Sequence, residues 1–341
     1  MIRYKCFSLI CCVVSWFILF SSGCLRTRDD LERKSVTSLT FIPCRERCEG
    51  RSCDGQTGCV SDPVSGSDTD TTEDIVNEPR LWPEPTSEEE PPCSDVESGC
   101  PQLDFVIIEG GRFMMGSESG NYDETPIHEV NVPTFELMRH EVTVAQYRHC
   151  VNAGVCSQPG TEPYCTWSHS VGRRENHPVN CVSWYQIMSF AQWVGARLPT
   201  ESEWEFAARS RGQDLDYPWG PGDPTCGLAN HSQCSEGTTE VCSYPIGNTR
   251  QDLCDLAGNL WEWTLDEYHE SYQGAPDDGS SWCTDECLIN ARNLESEAHT
   301  PMKMVIRGGG WYFGTFNLRT QNRSSSQASL HYTNHGARLA R

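Results

Sequence analysis

The chain has 341 residues, a formal net charge of −22, 37% hydrophobic residues and 11 tryptophans. That is length for one large domain or two ordinary ones, with a core rich in large rings. So acidic a surface repels phosphate backbones, which excludes a nucleic-acid partner. Twenty cysteines point to an oxidising compartment.

Residues 1–23 read as a signal peptide. Arg3 and Lys5 form a charged start, and the apolar run from Cys6 to Phe20 is short of the roughly 20 residues a membrane span needs. Ser21, Ser22, Gly23 and Cys24 follow. They resemble the lipobox of bacterial lipoproteins, with Ser21 where Leu is usual. The resemblance implies lipidation at Cys24 and a bacterial cell-envelope address. Leu25 is not the Asp of an inner-membrane retention signal, so the outer membrane is favoured.

Residues 24–102 read as an acidic, disordered, Cys-containing linker. Cys44, Cys48, Cys53 and Cys59 cluster without a CxxC pair, which favours a small disulfide knot over zinc. Ser61 to Pro92 is Pro/Ser/Thr-rich and acidic, including Glu88, Glu89 and Glu90. Too few apolar residues occur there to offset the entropy of ordering.

A folded domain is expected over 103–341. Phe105 to Gly116 reads as two short strands around Gly110-Gly111. Three capping boxes then announce helices: Thr143 with Gln146, Ser183 with Gln186, and Thr200 with Glu203. Gly154 can end the first. The second places Trp184, Ile187, Met188, Ala191 and Val194 at core-facing spacing. Glu201, Glu203 and Glu205 lie in the first turns of the third, where they favour the macrodipole. Beyond Arg209 the pattern is loops and short strands. Ten cysteines punctuate the domain: Cys150, Cys156, Cys165, Cys181, Cys226, Cys234, Cys242, Cys254, Cys283 and Cys287. Their number is even, so all can close as disulfides, but the pairing is open.

Several segments recur in one family in this order and spacing. They are Gly110-Gly-Arg-Phe-Met-Met-Gly-Ser117, Asp123-Glu-Thr-Pro-Ile-His-Glu-Val130 and His177-Pro-Val-Asn-Cys-Val-Ser-Trp184. Arg197-Leu-Pro-Thr-Glu-Ser-Glu-Trp-Glu-Phe-Ala-Ala-Arg209, Tyr217-Pro-Trp-Gly220 and Asp255-Leu-Ala-Gly-Asn-Leu-Trp-Glu-Trp263 come next. Arg307-Gly-Gly-Gly-Trp311, Asn317 to Arg323, and Gly336-Ala-Arg338 complete the set. From about residue 103 to 341 the chain resembles the formylglycine-generating enzyme, or sulfatase-modifying factor, family.

The resemblance implies an α+β fold similar to C-type lectins, with little regular secondary structure. Trp184, Trp204, Trp261 and Trp263 are then core residues. Arg197 and Arg209 join buried ion pairs or bond loop carbonyls. Gly308, Gly309 and Gly310 permit a tight turn or close approach.

The family oxidises a substrate cysteine to formylglycine with O₂ and copper held by two thiolates. The positions matching those ligands are Phe313 and Leu318, and the family's active-site serine matches Gly310. Soft sulfur ligands select Cu(I), and neither Phe nor Leu can replace them, so copper is not expected. A related branch, sulfoxide synthases of the ergothioneine type, adds a helical domain with three iron-binding histidines. No His precedes His128 here, which excludes that branch.

Structural calcium is implied at Asp255, Gly258, Leu260 and Glu262, and at a second site through Asn230, where Gln233 replaces an expected Asp. The expectation is a non-catalytic domain that binds a peptide, protein or glycan at the envelope, attached to the membrane by its lipid. Its presenting loops are expected over 212–249 and 267–300. The alternatives are an oxidoreductase of the same type with a relocated site, which needs a free cysteine pair, and a structural envelope protein.

Overall fold

The computed structural model describes residues 53–54, 58–59, 93, 99–284, 287 and 302–341. It divides into two units, Met1–Asp74 and Ile75–Arg341. In the first, β1 (Cys53–Asp54) pairs antiparallel with β2 (Gly58–Cys59), Cys53 opposite Cys59. Cys24 and the side chains of the early cysteine cluster lie outside the described residues.

The second unit begins with β3 (Phe105–Ile108) and β4 (Gly111–Met115), on either side of Gly110 as the sequence predicts. They do not pair with each other. β3 pairs with β6 (Phe135–Met138), and β4 with β5 (His128–Val132), both antiparallel. The turn lies against the start of β6: a Cβ on Gly110 would stand 2.4 Å from the Val132 carbonyl.

All three capping boxes form, with hydroxyl and amide or carboxylate bonded reciprocally. They open α1 (Val144–Asn152), α2 (Trp184–Trp193) and α3 (Glu201–Ala208). Gly154, at φ +75°, follows α1. Along α2, Trp184, Ile187, Met188 and Ala191 are buried, and Val194 packs against the same core.

A four-stranded sheet carries the C-terminal half, in the order β10 (His335–Gly336), β7 (Trp261–Glu267), β8 (Lys303–Arg307), β9 (Arg323–Gln327). Only β10–β7 is parallel. Side chains alternate across the sheet. One face aligns Glu262, Arg307 and Arg323; the other aligns Trp263, Ile306 and Ser324. The first face meets α3 and the second packs with Trp184 of α2. Trp184, Trp204, Trp261 and Trp263 are all buried.

The acidic start of α3 does more than complement a macrodipole. Glu201 accepts from Arg307 at 2.7 Å and Arg323 at 2.7 Å, Glu203 from Arg197 at 2.6 Å, and Glu205 from Arg307 at 2.6 Å and Arg209 at 3.0 Å. Arg209 also bonds the carbonyls of Met114 and Gln213. Helical spacing alone does not reveal Arg307 and Arg323, which lie on β8 and β9.

Every cysteine from Cys93 onward is bridged, each to its neighbour in sequence: Cys93–Cys100, Cys150–Cys156, Cys165–Cys181, Cys226–Cys234, Cys242–Cys254 and Cys283–Cys287. Cys93 and Cys100 are buried in the main core, and the Cys93 N–H bonds the Trp193 carbonyl. The packed unit thus takes in residues ahead of Leu103. Short loops stapled this way compensate for sparse regular structure.

Candidate functional site: an aromatic and hydroxyl-lined groove

Leaving β8, the chain turns through Gly308 (φ +95°) and Gly309 (φ +75°). A Cβ at Gly308 would meet the Trp204 ring at 3.1 Å, and one at Gly309 the Asn317 carbonyl at 2.8 Å, so conformation and space both demand glycine. Gly310 differs: a Cβ there would meet nothing closer than 3.5 Å. The loop beyond is fixed by three main-chain bonds. The Trp311 N–H donates to the Asn259 carbonyl (2.8 Å), that of Phe313 to Gly310 (2.9 Å), and that of Ser232 to Phe313 (2.9 Å).

Phe313 is half-buried with its ring edge-on to Trp261, centroids 5.7 Å apart. Leu318 is fully buried against Ala229 and Ala257. Both positions that match copper ligands are therefore hydrocarbon in hydrocarbon surroundings, and the residues present do not fit that metal. No thiol from Cys93 onward is free to substitute. Two other clusters gather possible metal ligands, Cys226/His231/Cys234 and Glu162/Cys165/Cys181, but in each both sulfurs are tied in a disulfide.

Phe313 forms one wall of a groove of about 510 Å³ on the Ile306 face of the sheet. Trp261 and Ile306 underlie it, Ser324 and Ser326 of β9 line its floor, and Leu330 and Tyr332 rise opposite. Tyr332 is 46% exposed. His335, on β10, borders the groove and is 5% exposed; its Nδ1 has no partner among the described residues. Burial drops its pKa to about 3, so it is neutral. Sequence reasoning named Trp261 and Phe313 but not Ser324, Ser326, Leu330, Tyr332 or His335. β9 reads Arg-Ser-Ser-Ser-Gln, with no apolar alternation to mark it as a strand. Among the described residues, the loops over 212–249 and 267–300, expected to present the ligand, contribute none to the lining.

The expected calcium loop is tightly wound: Asp255, Gly258 and Asn259 all have left-handed backbone, at φ +55°, +87° and +58°. Asp255 accepts the Cys242 N–H at 2.7 Å. Glu141 accepts from Asn259 Nδ2 at 2.8 Å and from the Leu260 N–H at 3.1 Å. Glu262 grips Arg338 with both oxygens at 2.7 Å and also accepts from Trp204 Nε1. Three buried carboxylates thus face one arginine. Burial, reinforced by its acidic neighbours, raises Glu141 well above the usual range, and burial pushes Asp255 up to about 6. Such crowding of carboxyls is relieved by a proton or by a hard cation. Two of the expected ligands also have protein partners. Glu262 is held by Arg338, and the Asn230 amide is spent on Gly237, Ser235 and Asn259. The two expected sites also abut, since a Cβ on Gly258 would stand 2.2 Å from the Asn230 carbonyl.

Residues 94–341 match the profile of the sulfatase-modifying factor enzyme 1-like domain. A serine/threonine-protein kinase pkn1 of Chlamydia caviae is 31% identical over 260 residues, 70% of this chain and 38% of that protein. The chain thus spans about two-fifths of that kinase's length. The formylglycine-generating enzyme of Mycobacterium tuberculosis is 31% identical over 233 residues, 51% of this chain and 77% of the enzyme. Among solved structures, PvdO from Pseudomonas aeruginosa superposes with a TM-score of 0.55 at 26% identity, covering 71% of this chain and 95% of PvdO. The Treponema denticola variable protein 1 shares the fold, with a TM-score of 0.53 at 19% identity over 69% of this chain and 94% of its own. The chain belongs to the family of sulfatase-modifying factor enzyme 1-like domains.

Proposed function

We propose that this chain is an envelope lipoprotein, anchored through Cys24, whose domain binds a ligand in the groove and does not oxidise cysteine. One observation carries the reading: Phe313 and Leu318 occupy the positions where the family's copper thiolates belong, and Phe313 walls a groove large enough for a small ligand. A relocated oxidase site would need a thiol pair, and the twelve cysteines from Cys93 to Cys287 are all paired. The ligand is a peptide, protein or glycan of the envelope. Structural calcium belongs to the same proposal, near Asp255 and the carbonyls of Gly258 and Leu260. There Glu262 and Glu141 contribute charge, and the ion fixes the loop that holds Trp311 through Asn259.

The test is capture from envelope extract by the immobilised chain, with Ser324→Phe/Ser326→Phe as a filled-groove control checked for intact bridges and fold. The wild type should retain a partner that the control loses. Equal retention would remove the groove from the account.

A further inference from the structure

Resting on the reading of the groove as a ligand site, we infer that its ligand is a neutral glycan. Hydrogen-bonding capacity is the first ground. Ser324, Ser326, Gln327 and Asn334 line the groove, and their side chains bond nothing else among the described residues. The Tyr332 hydroxyl is equally unspent, and His335 Nδ1 is buried without a partner. Hydroxyls and carboxamides offer donors and acceptors together, which is what vicinal sugar hydroxyls require. Leaving a buried polar atom such as His335 Nδ1 unsatisfied is costly, so a ligand that reaches it is favoured.

Charge is the second ground. The chain carries −22, yet among the described residues no carboxylate lines the groove and the one cation there is the exposed Lys303. An acidic ligand would face the repulsion of the whole molecule, and a basic one would find no anionic partner in the lining. Uncharged ligands fit best.

Geometry is the third ground, through the ring-bearing walls of the groove, and the peptide arm of the test below covers pairing to the β9 edge. Extended peptides are recognised chiefly by main-chain bonding to a sheet edge, and helical ones by a row of apolar anchors. The groove runs along β9, from Ser324 to Gln327. Ile306 and Ser324 sit opposite each other there, within a β8–β9 ladder continuous from Lys303↔Gln327 to Arg307↔Arg323. The ladder uses the β9 main-chain groups that face β8, and the groove adds the side chains of Ser324 and Ser326 beside the outer edge of β9, the last strand of the sheet. The groove walls, Phe313 and the half-exposed Tyr332, offer ring faces against which the C–H face of a pyranose can lie. A volume of about 510 Å³ has room for a short saccharide segment.

The whole chain is applied to immobilised neutral oligosaccharides, acidic oligosaccharides and random decapeptides, alongside Tyr332→Ala and Tyr332→Phe. Tyr332 is largely on the surface, so neither change threatens the fold. Neutral oligosaccharides should be retained. Tyr332→Ala should weaken them about tenfold, the size of one lost aromatic contact, and Tyr332→Phe should weaken them less. Retention of peptides or of acidic sugars alone, lost in Tyr332→Ala, would overturn the glycan assignment and leave the groove as the binding site. No retention, or retention that neither variant alters, would overturn both.

Discussion

Glu201 sits where an acidic residue is expected for a helix start, yet its energetics are set elsewhere. It is buried between Arg307 and Arg323 and also accepts from Tyr272 at 3.1 Å. Burial opposes its ionisation, but the two arginines outweigh it and hold the carboxyl below its usual range. Removing Glu201 would leave the buried Arg323 without its carboxylate, a loss of about 3–5 kcal/mol. Such partners come from β8 and β9, more than 100 residues away in sequence. Arg197 and Arg209 were legible as ion-pairing residues; which carboxylates serve Arg307, Arg323 and Arg338 was not. Asp266 adds a pH dependence. Burial, then the Glu201 charge, raises it from 3.8 to about 7. Between about pH 4 and 7 the folded state keeps a proton that the unfolded chain has released, so this group's contribution to stability falls as pH rises through that window. Asp266→Asn removes the titration; its loss of one acceptor for the Glu201 and Trp282 N–H groups is the same at every pH. Denaturant unfolding at pH 4 and pH 8 should show the variant gaining on wild type by on the order of 2–4 kcal/mol across that range. A pH-independent difference would mean that Asp266 is ionised throughout.

Elements defined by local chemistry were the legible ones. A capping box needs only residues three apart, and all three formed where the hydroxyls predicted them. Ser183→Ala should lower stability by about 1 kcal/mol, measured by denaturant unfolding, since Ser183 caps Gln186 N and Gln186 reaches back. No change would mean that tertiary packing alone holds α2. Strand pairing was not legible. β3 and β4 flank Gly110 as expected, yet their partners lie beyond the next loop. β9 escaped notice because its sequence is polar throughout, and the groove is assembled from β7, β8, β9 and the turn at Phe313, none of which is complete alone.

At the scale of the whole molecule, the ordered motifs of residues 110–338 indicated the fold, because glycines such as Gly308 and Gly309, the buried Trp184, Trp204, Trp261 and Trp263, and Arg307, Arg323 and Arg338 fill structural places. They did not reveal the groove, which depends on residues between the motifs. Two expectations rest on the chain as a whole. Mass spectrometry of the mature protein should find an acylated Cys24, and Cys24→Ala should release the chain from membranes; an unmodified N-terminus elsewhere would contradict the anchor. Melting in calcium should exceed melting in chelator, because a ligand bound only by the folded state stabilises it, and Asp255→Asn should narrow the gap. Equal midpoints would remove the ion.

The central claim, that the family's oxidation site is lost in this chain, has a direct assay. The whole chain, loaded with Cu(I) and supplied with O₂ and a cysteine peptide of sulfatase type, should yield no aldehyde and no peptide-dependent O₂ uptake. Phe313 and Leu318 offer copper no ligand, and Gly310 carries no hydroxyl. Aldehyde above the copper-only blank would contradict the account.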